Sequence, residues 1–212
     1  MFDIALRPVK DRVFDPLCAA IPPAVAPLHL TIAAFICGVA SCVSAAFGSS
    51  FWALALWVLN RALDCLDGAV ARQRDQSSDL GGFLDLLGDF VVYSGIPISC
   101  ALGLPNGGKL LWISVAVVEA TFHVNNFVLF YVAAVAEKRK AAQTKEKQKQ
   151  QRTEELTSVM MRPALIEGAE SGVVFTLMLA WPSATQVLCW ALAVGVAIGT
   201  IQRVTWVVQA LS

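Results

Sequence analysis

Six long apolar stretches constrain the fold of this chain more than any other feature of its sequence. Each approaches the length of about 20 apolar residues that a helix needs to cross the hydrocarbon core of a membrane. Of the 212 residues, 57% are hydrophobic and 15% are charged, whereas a soluble domain is about half apolar and about a quarter charged. We therefore predict an all-α integral membrane protein with six transmembrane helices. The predicted spans are residues 28–47, 52–70, 83–104, 110–136, 164–181 and 184–211.

The basic residues predict how these spans are oriented. If the N-terminus lies in the cytosol, only Lys109 among the 16 Lys and Arg residues falls on the outer side. Lys and Arg accumulate on the cytosolic side of membrane proteins, and Trp accumulates at the interfaces. Trp52, Trp112 and Trp181 all fall near the outer interface in this arrangement. We expect a multi-pass protein of a bacterial inner membrane or a similar membrane, with both termini in the cytosol.

Two further segments complete the predicted organisation. Within residues 1–20, apolar side chains recur at intervals of four and three, which predicts an amphipathic helix on the cytosolic membrane surface. Residues 137–162 are rich in Lys, Gln and Glu, and they predict a polar cytosolic linker that begins as an extension of the fourth helix. This linker is too short to bury a core of its own, so we expect a single membrane domain over residues 1–212. The net charge of zero gives no electrostatic footprint for a nucleic acid.

Four aspartates are the residues that most strongly indicate chemistry. Asp64 and Asp67 share one helix face near the cytosolic end of the second span, and Asp85 and Asp89 share one face near the cytosolic start of the third. Because the loop between the two spans is short, we expect the four carboxylates to converge. Converging carboxylates repel one another unless cations compensate them, and Mg²⁺ or Mn²⁺ prefers oxygen ligands. Two such ions would clamp phosphate oxygens and support an in-line displacement.

The aspartates also have a structural alternative to metal binding. Some of them would serve as helix caps or as ion-pair partners of nearby arginines, namely Arg61, Arg72 and Arg74. Four carboxylates at this spacing exceed what caps and ion pairs require, which favours the metal site.

The residues around the aspartates form a longer pattern, Asp64-x-x-Asp67-Gly68-x-x-Ala71-Arg72, eight residues, and then Gly81-x-x-x-Asp85-x-x-x-Asp89. This pattern resembles the signature of the CDP-alcohol phosphotransferase (CDP-alcohol phosphatidyltransferase) family at every fixed position. The surface helix, the six spans and the cytosolic termini are also similar to that family. The resemblance implies a metal-dependent enzyme of phospholipid synthesis that transfers a phosphatidyl group from CDP-diacylglycerol to an alcohol acceptor and releases CMP. It also implies a homodimer.

The resemblance further implies roles for individual residues. It assigns the four aspartates to a site for two Mg²⁺ or Mn²⁺ ions, and it assigns Asp89 also to the base that deprotonates the acceptor alcohol. It assigns contacts with the CDP moiety to His29, Thr31, Gly68, Ala71, Arg72, Ser78 and Gly81. The physical chemistry agrees, because Gly68 and Ala71 lack bulk where a nucleotide approaches a helix backbone, and Arg72 supplies a cation for phosphate.

The charges near the cytosolic ends of the last two spans bear on the acceptor. The candidate acceptor residues are Arg162, Glu167 and Glu170. A phosphorylated acceptor needs extra cations, yet beyond Arg72 only Arg162 and Arg203 lie at a suitable depth, and the two glutamates would repel a second phosphate. We therefore expect an unphosphorylated polyol or amino alcohol. The glutamates would otherwise be helix-start residues that favour the positive end of the helix dipole.

Two other functions compete with phosphatidyl transfer from CDP-diacylglycerol. The same motif serves the reverse split, in which a soluble CDP-amino alcohol is the donor and diacylglycerol is the acceptor. A non-enzymatic divalent-cation carrier would also explain acidic residues in membrane spans. A carrier needs neither Gly68 nor the adjacent Ala71 and Arg72, so the motif speaks against it.

Overall fold

The computed structural model describes residues 16–147 and 168–211, and these form a bundle of six long helices. The helices are α1 (Pro27–Ala46), α2 (Ser50–Gln73), α3 (Asp79–Leu102), α4 (Gly108–Lys147), α5 (Gly168–Ala180) and α6 (Thr185–Leu211). A short 3₁₀ turn, Pro182–Ala184, joins α5 to α6. No strand occurs within the described residues, which confirms the all-α prediction.

Four segments of the bundle are long and apolar enough to cross a membrane. They are Pro27–Ala46, Asp79–Leu102, Gly108–Val135 and Pro182–Gln209, and a shorter apolar helix covers Glu170–Ala180. The 24 residues of α2 are also long enough to span, but this helix carries four Asp or Arg side chains from Arg61 to Arg72. The fold is therefore that of a multi-pass membrane protein, and the count of six spans stays a prediction.

The flanking segments are described only in part. Of the predicted surface helix, the structure describes residues 16–20, and residues 16–18 are helical. The helix α4 continues beyond its apolar part to Lys147, in keeping with the predicted polar extension. Residues 148–162 of the predicted linker lie outside the described residues.

The helices pack into two groups that meet around aromatic side chains. The helix α1 lies against α2 and α3, and α4 runs along α6, while α5 contacts both α2 and α3. Trp57 on α2 is buried against Phe175 on α5 with ring centroids 6.2 Å apart, and its Nε1 donates to Thr176 Oγ1 at 2.8 Å. Ile96 on α3 is also fully buried in this core. The core therefore joins the first three helices to the last three.

The end of α2 and the start of α3 are held close to the segment that precedes α1. Only residues 74–78 separate α2 from α3. The Arg74 guanidinium donates from Nη1 to the Val25 carbonyl at 2.8 Å and from Nη2 to the Ile21 carbonyl at 2.7 Å. This anchor places the start of α1 beside the end of α2.

Gly38 lets α1 approach α3 closely, and this contact provides a test of the packing. A Cβ at position 38 would lie 2.5 Å from Val92 Cγ2 and 3.0 Å from Asn60 Nδ2. We expect Gly38→Ala to lower the free energy of unfolding by about 1–3 kcal/mol, because neither neighbour can move without disturbing the core. Gly172→Ala is the matched control, since a Cβ there meets nothing within 4 Å. Thermal unfolding in detergent should separate the two variants, and equal midpoints would contradict this packing.

The orientation is testable with two exposed lysines on α4. Lys109 lies at its beginning and Lys138 lies about 43 Å further along the helix axis. If the charge asymmetry sets the topology, an impermeant amine reagent applied to intact cells should modify Lys109 and spare Lys138. Lysed cells are the control, in which both lysines should react. Modification of Lys138 alone in intact cells would reverse the proposed orientation.

Candidate active site

A cavity of about 430 Å³ opens where the start of α1, the end of α2 and the start of α3 meet. Its wall contains both apolar side chains, such as Leu28 and Leu80, and polar ones, such as Gln76 and Ser77. This volume and this mixed lining are typical of a site for a small molecule or for the head of an amphiphile. The sequence motif did not identify Gln76 and Ser77, although their place in the short loop between the motif's two halves was a usable signal.

Most of the residues predicted to contact a CDP moiety line this cavity. They are Thr31, Gly68, Ala71, Arg72, Ser78 and Gly81. The seventh, His29, lies at the start of α1, where its Nδ1 accepts a hydrogen bond from the Ala26 backbone N–H at 3.2 Å. The His29 side chain is thus used to cap the helix rather than to line the cavity.

Two of the lining residues have a structural role that the sequence did not reveal. Ser78 is the N-cap of α3, and its Oγ accepts a hydrogen bond from the Gly81 N–H at 3.1 Å. Gly68 makes room for the Arg72 side chain, because a Cβ on Gly68 would lie 3.3 Å from Arg72 Nη1. The guanidinium therefore folds back along α2 beside the cavity.

The four motif aspartates converge as the spacing predicted. The Asp64 carboxyl lies beside that of Asp85 within hydrogen-bonding reach, and it is also within electrostatic range of Asp67 and Asp89. Asp67 is the most deeply buried, at 6% exposure, and one of its oxygens accepts a hydrogen bond from Thr31 Oγ1 at 2.5 Å. Asp67 and Asp85 line the cavity. Carboxylates from two helices thus form one acidic cluster next to the cavity.

Arg61 is the principal cation in contact with this cluster. Its Nη2 lies 2.5 Å from Asp89 Oδ1, and its Nη1 lies 3.4 Å from Asp64 Oδ2. Nη1 also donates to the Tyr93 hydroxyl at 2.9 Å. The ion-pair alternative considered for the aspartates therefore applies to Asp64 and Asp89. The contact with Asp64 had a signal in the sequence, since Arg61 precedes Asp64 by three residues on the same helix, whereas Asp89 lies 28 residues away on α3.

The cluster fits divalent cations by the chemistry of its donors. Four carboxylates supply hard oxygen ligands, and their contact with Arg61 shows that they attract positive charge. Within residues 16–147 and 168–211, no three His, Cys, Asp or Glu side chains are close enough together to hold one ion. Binding of Mg²⁺ or Mn²⁺ would therefore require these carboxylates to rotate toward the ion.

The predicted acceptor residues are described only in part. Arg162 and Glu167 lie outside the described residues. Glu170 lies in the first turn of α5, where a carboxylate suits the positive end of the helix dipole. The other cation considered, Arg203 on α6, donates from Nη1 to Asn125 Oδ1 at 2.8 Å and so joins α6 to α4.

The fold and site together define a multi-pass membrane protein with an acidic cluster beside a cavity at one end of its first three helices. The sequence model of the CDP-alcohol phosphatidyltransferase family matches residues 24–198. The chain belongs to this family.

Two curated relatives are similar to parts of the chain. The inner membrane protein YnjF of Escherichia coli (strain K12) is 37% identical over 118 residues, which cover 53% of this chain and 57% of that protein. The archaetidylinositol phosphate synthase of Methanothermobacter thermautotrophicus is 35% identical over 105 residues, which cover 48% of this chain and 53% of that protein. The chain thus spans little more than half the length of these relatives.

Solved structures of one further protein show the same fold. The phosphatidylinositol phosphate synthase of Mycobacterium tuberculosis with CDP-DAG bound superposes with a TM-score of 0.68 at 20% identity and covers 92% of both chains. A second structure of that enzyme, in complex with manganese and citrate, has the same TM-score and identity and covers 91% of this chain and 87% of the other. At this identity the likeness establishes the helical architecture.

Proposed function

We propose that this chain transfers a phosphatidyl group from CDP-diacylglycerol to an alcohol acceptor and releases CMP. The observation that carries the proposal is the cavity itself, which gathers six of the residues expected to contact CDP and two of the four motif aspartates. Family membership gives the same reaction class, and the bound CDP-DAG of the mycobacterial synthase is consistent with it.

Different residues of the chain would bind the donor and accept the proton. The Arg72 guanidinium and the start of α3, with Ser78 and Gly81, would bind the donor's diphosphate. Asp89 would accept the proton of the acceptor hydroxyl as its oxygen forms a bond with the β-phosphorus. The bond between that phosphorus and the oxygen of CMP would break, and CMP would leave with the bridging oxygen. Atoms and charge are then balanced without any further reactant.

Divalent ions would belong to the same site. Asp64, Asp67, Asp85 and Asp89 would hold two Mg²⁺ or Mn²⁺ ions. When bound, these ions would supply positive charge that stabilises the diphosphate and the leaving CMP. The manganese complex of the mycobacterial synthase supports this part of the proposal.

The location and assembly of the protein are part of the same proposal. The charge asymmetry supports a cavity that faces the cytosol, and the name of the E. coli relative supports an inner membrane. The acyl chains of the donor would stay in the bilayer while the acceptor enters from the cytosol. We also propose a homodimer, which the mass of the purified protein in detergent would test.

CMP release by the purified protein is the direct test of function. The protein in detergent should release CMP from CDP-diacylglycerol when Mg²⁺ or Mn²⁺ and a suitable alcohol are present, and should stop when EDTA is added. A parallel reaction with CDP-ethanolamine and diacylglycerol tests the reverse split. If no donor yields CMP but the protein transports Mn²⁺ into liposomes, the result would refute the enzyme proposal and support a divalent-cation carrier.

The acceptor class gives a separate prediction. Among the described residues, the Arg203 guanidinium donates a hydrogen bond to Asn125, and Glu170 adds a negative charge in the first turn of α5. We therefore expect unphosphorylated polyols or amino alcohols to be better acceptors than phosphorylated ones. The names of the archaeal and mycobacterial synthases point to the opposite class, so inositol phosphate belongs in the panel. A radiolabelled acceptor panel decides, and a preference for inositol phosphate or glycerol phosphate that persists in Glu170→Gln would refute this prediction.

A further inference from the structure

Arg61 is held more firmly than an ordinary surface arginine. Its guanidinium carbon lies 4.9 Å from the ring centroid of Trp57 and 5.2 Å from that of Tyr93. Its Nε donates to Asn60 Oδ1 at 2.8 Å, and Asn60 is itself fixed by a hydrogen bond to the Ala34 carbonyl at 2.8 Å. Stacking between two aromatic rings and a fixed amide leaves the guanidinium one orientation, which directs both terminal nitrogens at carboxylates.

The contacts of Arg61 divide the acidic cluster into two pairs. Asp64 and Asp89 are bound by the guanidinium. Asp67 and Asp85 instead line the cavity, where Asp67 accepts its hydrogen bond from Thr31. Each pair takes one carboxylate from α2 and one from α3. An ion that enters through the cavity therefore meets Asp67 and Asp85 first, and it meets Asp64 and Asp89 only in competition with Arg61.

The charge of Arg61 has two opposite effects on this site. Without a metal ion, the guanidinium offsets part of the repulsion among four carboxylates and so stabilises the protein. For an incoming dication it is a like charge, bound to oxygens that the ion would use. Like charges a few ångströms apart repel each other even near a protein surface, so removal of the cation should strengthen metal binding by at least about a factor of ten.

We infer that Arg61 is a resident counter-cation that occupies the Asp64 and Asp89 half of the cluster and weakens the binding of the second divalent ion there. Arg61 is thus a positioning residue that keeps the carboxylates together until substrate and metal arrive. This inference rests on the proposed function, because that function supplies the need for two ions. It concerns the order and strength of metal binding, which can be measured without turnover.

The test compares Mn²⁺ binding to the wild type and to Arg61→Met in detergent, without donor, by electron paramagnetic resonance of free Mn²⁺. Methionine keeps an unbranched side chain against Trp57 and Tyr93 but carries no charge. We expect the second ion to bind Arg61→Met about tenfold or more tightly than it binds the wild type. Without metal, Arg61→Met should unfold at a lower temperature, and Mn²⁺ should raise that temperature more than it does in the wild type.

Two further variants separate charge from structure. Arg61→Lys keeps a cation and should bind the second ion with nearly wild-type affinity. Lys109→Met removes an exposed cation at the start of α4, a full helix length along the bundle from the start of α3 where the cavity lies. Its Mn²⁺ affinity should stay within about threefold of the wild type because distant charges are screened.

The outcomes distinguish the inference from the proposed function. If the wild type binds two ions and Arg61→Met binds the second equally or more weakly, the counter-cation role is wrong while the enzyme proposal stands. If neither protein binds Mn²⁺ at all, both the inference and the metal-dependent function fail.

Discussion

Asp89→Asn is expected to reduce CMP release by a factor of about 10² to 10⁴, which is the usual contribution of a general base. The amide cannot take the proton of the acceptor alcohol, yet it keeps the size of the carboxyl group. Because Asp67 lines the cavity and Asp89 does not, the donor should still bind better to this variant than to Asp67→Asn. Initial rates of CMP release and calorimetric binding of CDP-diacylglycerol measure the two effects.

The same helix offers a matched control for Asp89→Asn. Asp79 lies in the first turn of α3, is exposed, and stands outside the carboxylate cluster. Asp79→Asn makes the same chemical change and should leave the rate within about twofold of the wild type, as is usual for surface substitutions. Full activity in Asp89→Asn would remove the base assignment, and equal losses in both variants would point to a general effect of charge on α3.

Asp67→Asn should produce the second large effect, a loss of at least about 10² in CMP release together with weaker Mn²⁺ and donor binding. Asp67 is buried, lines the cavity and accepts the Thr31 hydrogen bond, so its charge is poorly screened by solvent. The variant removes that charge where metal and diphosphate would meet. A rate measured at rising Mn²⁺ concentration should recover only in part.

Thr31→Val separates the charge of Asp67 from its hydrogen bond. Valine keeps the shape of the side chain and removes only the hydroxyl donor. A hydrogen bond to a charged group is worth about 1.5–3 kcal/mol, so this variant should lose roughly 10- to 100-fold in activity at most. If Thr31→Val were as inactive as Asp67→Asn, the orientation of the carboxylate would matter as much as its charge. Wild-type Mn²⁺ affinity in Asp67→Asn would exclude Asp67 from the metal site.

The fold could be predicted well where apolar length and turn residues act together. The predicted first span, residues 28–47, differs from α1 by one residue at each end. At its C-terminal end the helix is closed by a Schellman motif. In that motif Gly48 has a φ of +74° and its N–H donates to the Ala45 carbonyl, a conformation that glycine adopts without strain. The helix α2 continues beyond the predicted second span, residues 52–70, to Gln73, because a helix can extend past the apolar stretch through a charged residue such as Arg72.

The site was predictable in its carboxylates and less so in its long side chains. Helical spacing fixes which aspartates share a face, and a five-residue loop brings the two faces together. Helical spacing does not determine the direction of an arginine side chain, because the long side chain can reach several neighbours and packing decides which of them it contacts. The orientation of the Arg61 side chain is set by contacts with Trp57 and Tyr93. Trp57 is itself held by a hydrogen bond to α5, which is more than a hundred residues away in sequence. The position of the His29 ring was not predicted for a similar reason, since it turns back to the helix start, and its contact with a CDP moiety stays a prediction.

Among residues 16–147 and 168–211, all those that line the cavity come from positions 26 to 85. As the chain is synthesised, this described wall of the cavity has therefore emerged once α3 is made, while α4, α5 and α6 are still to follow. Among the described residues, this later half reaches the pocket through Phe175 and Thr176, which support Trp57 beneath Arg61. If the proposed function holds, substitutions in the second half of the gene could therefore alter the choice of acceptor while the part that encodes this wall of the cavity stays unchanged.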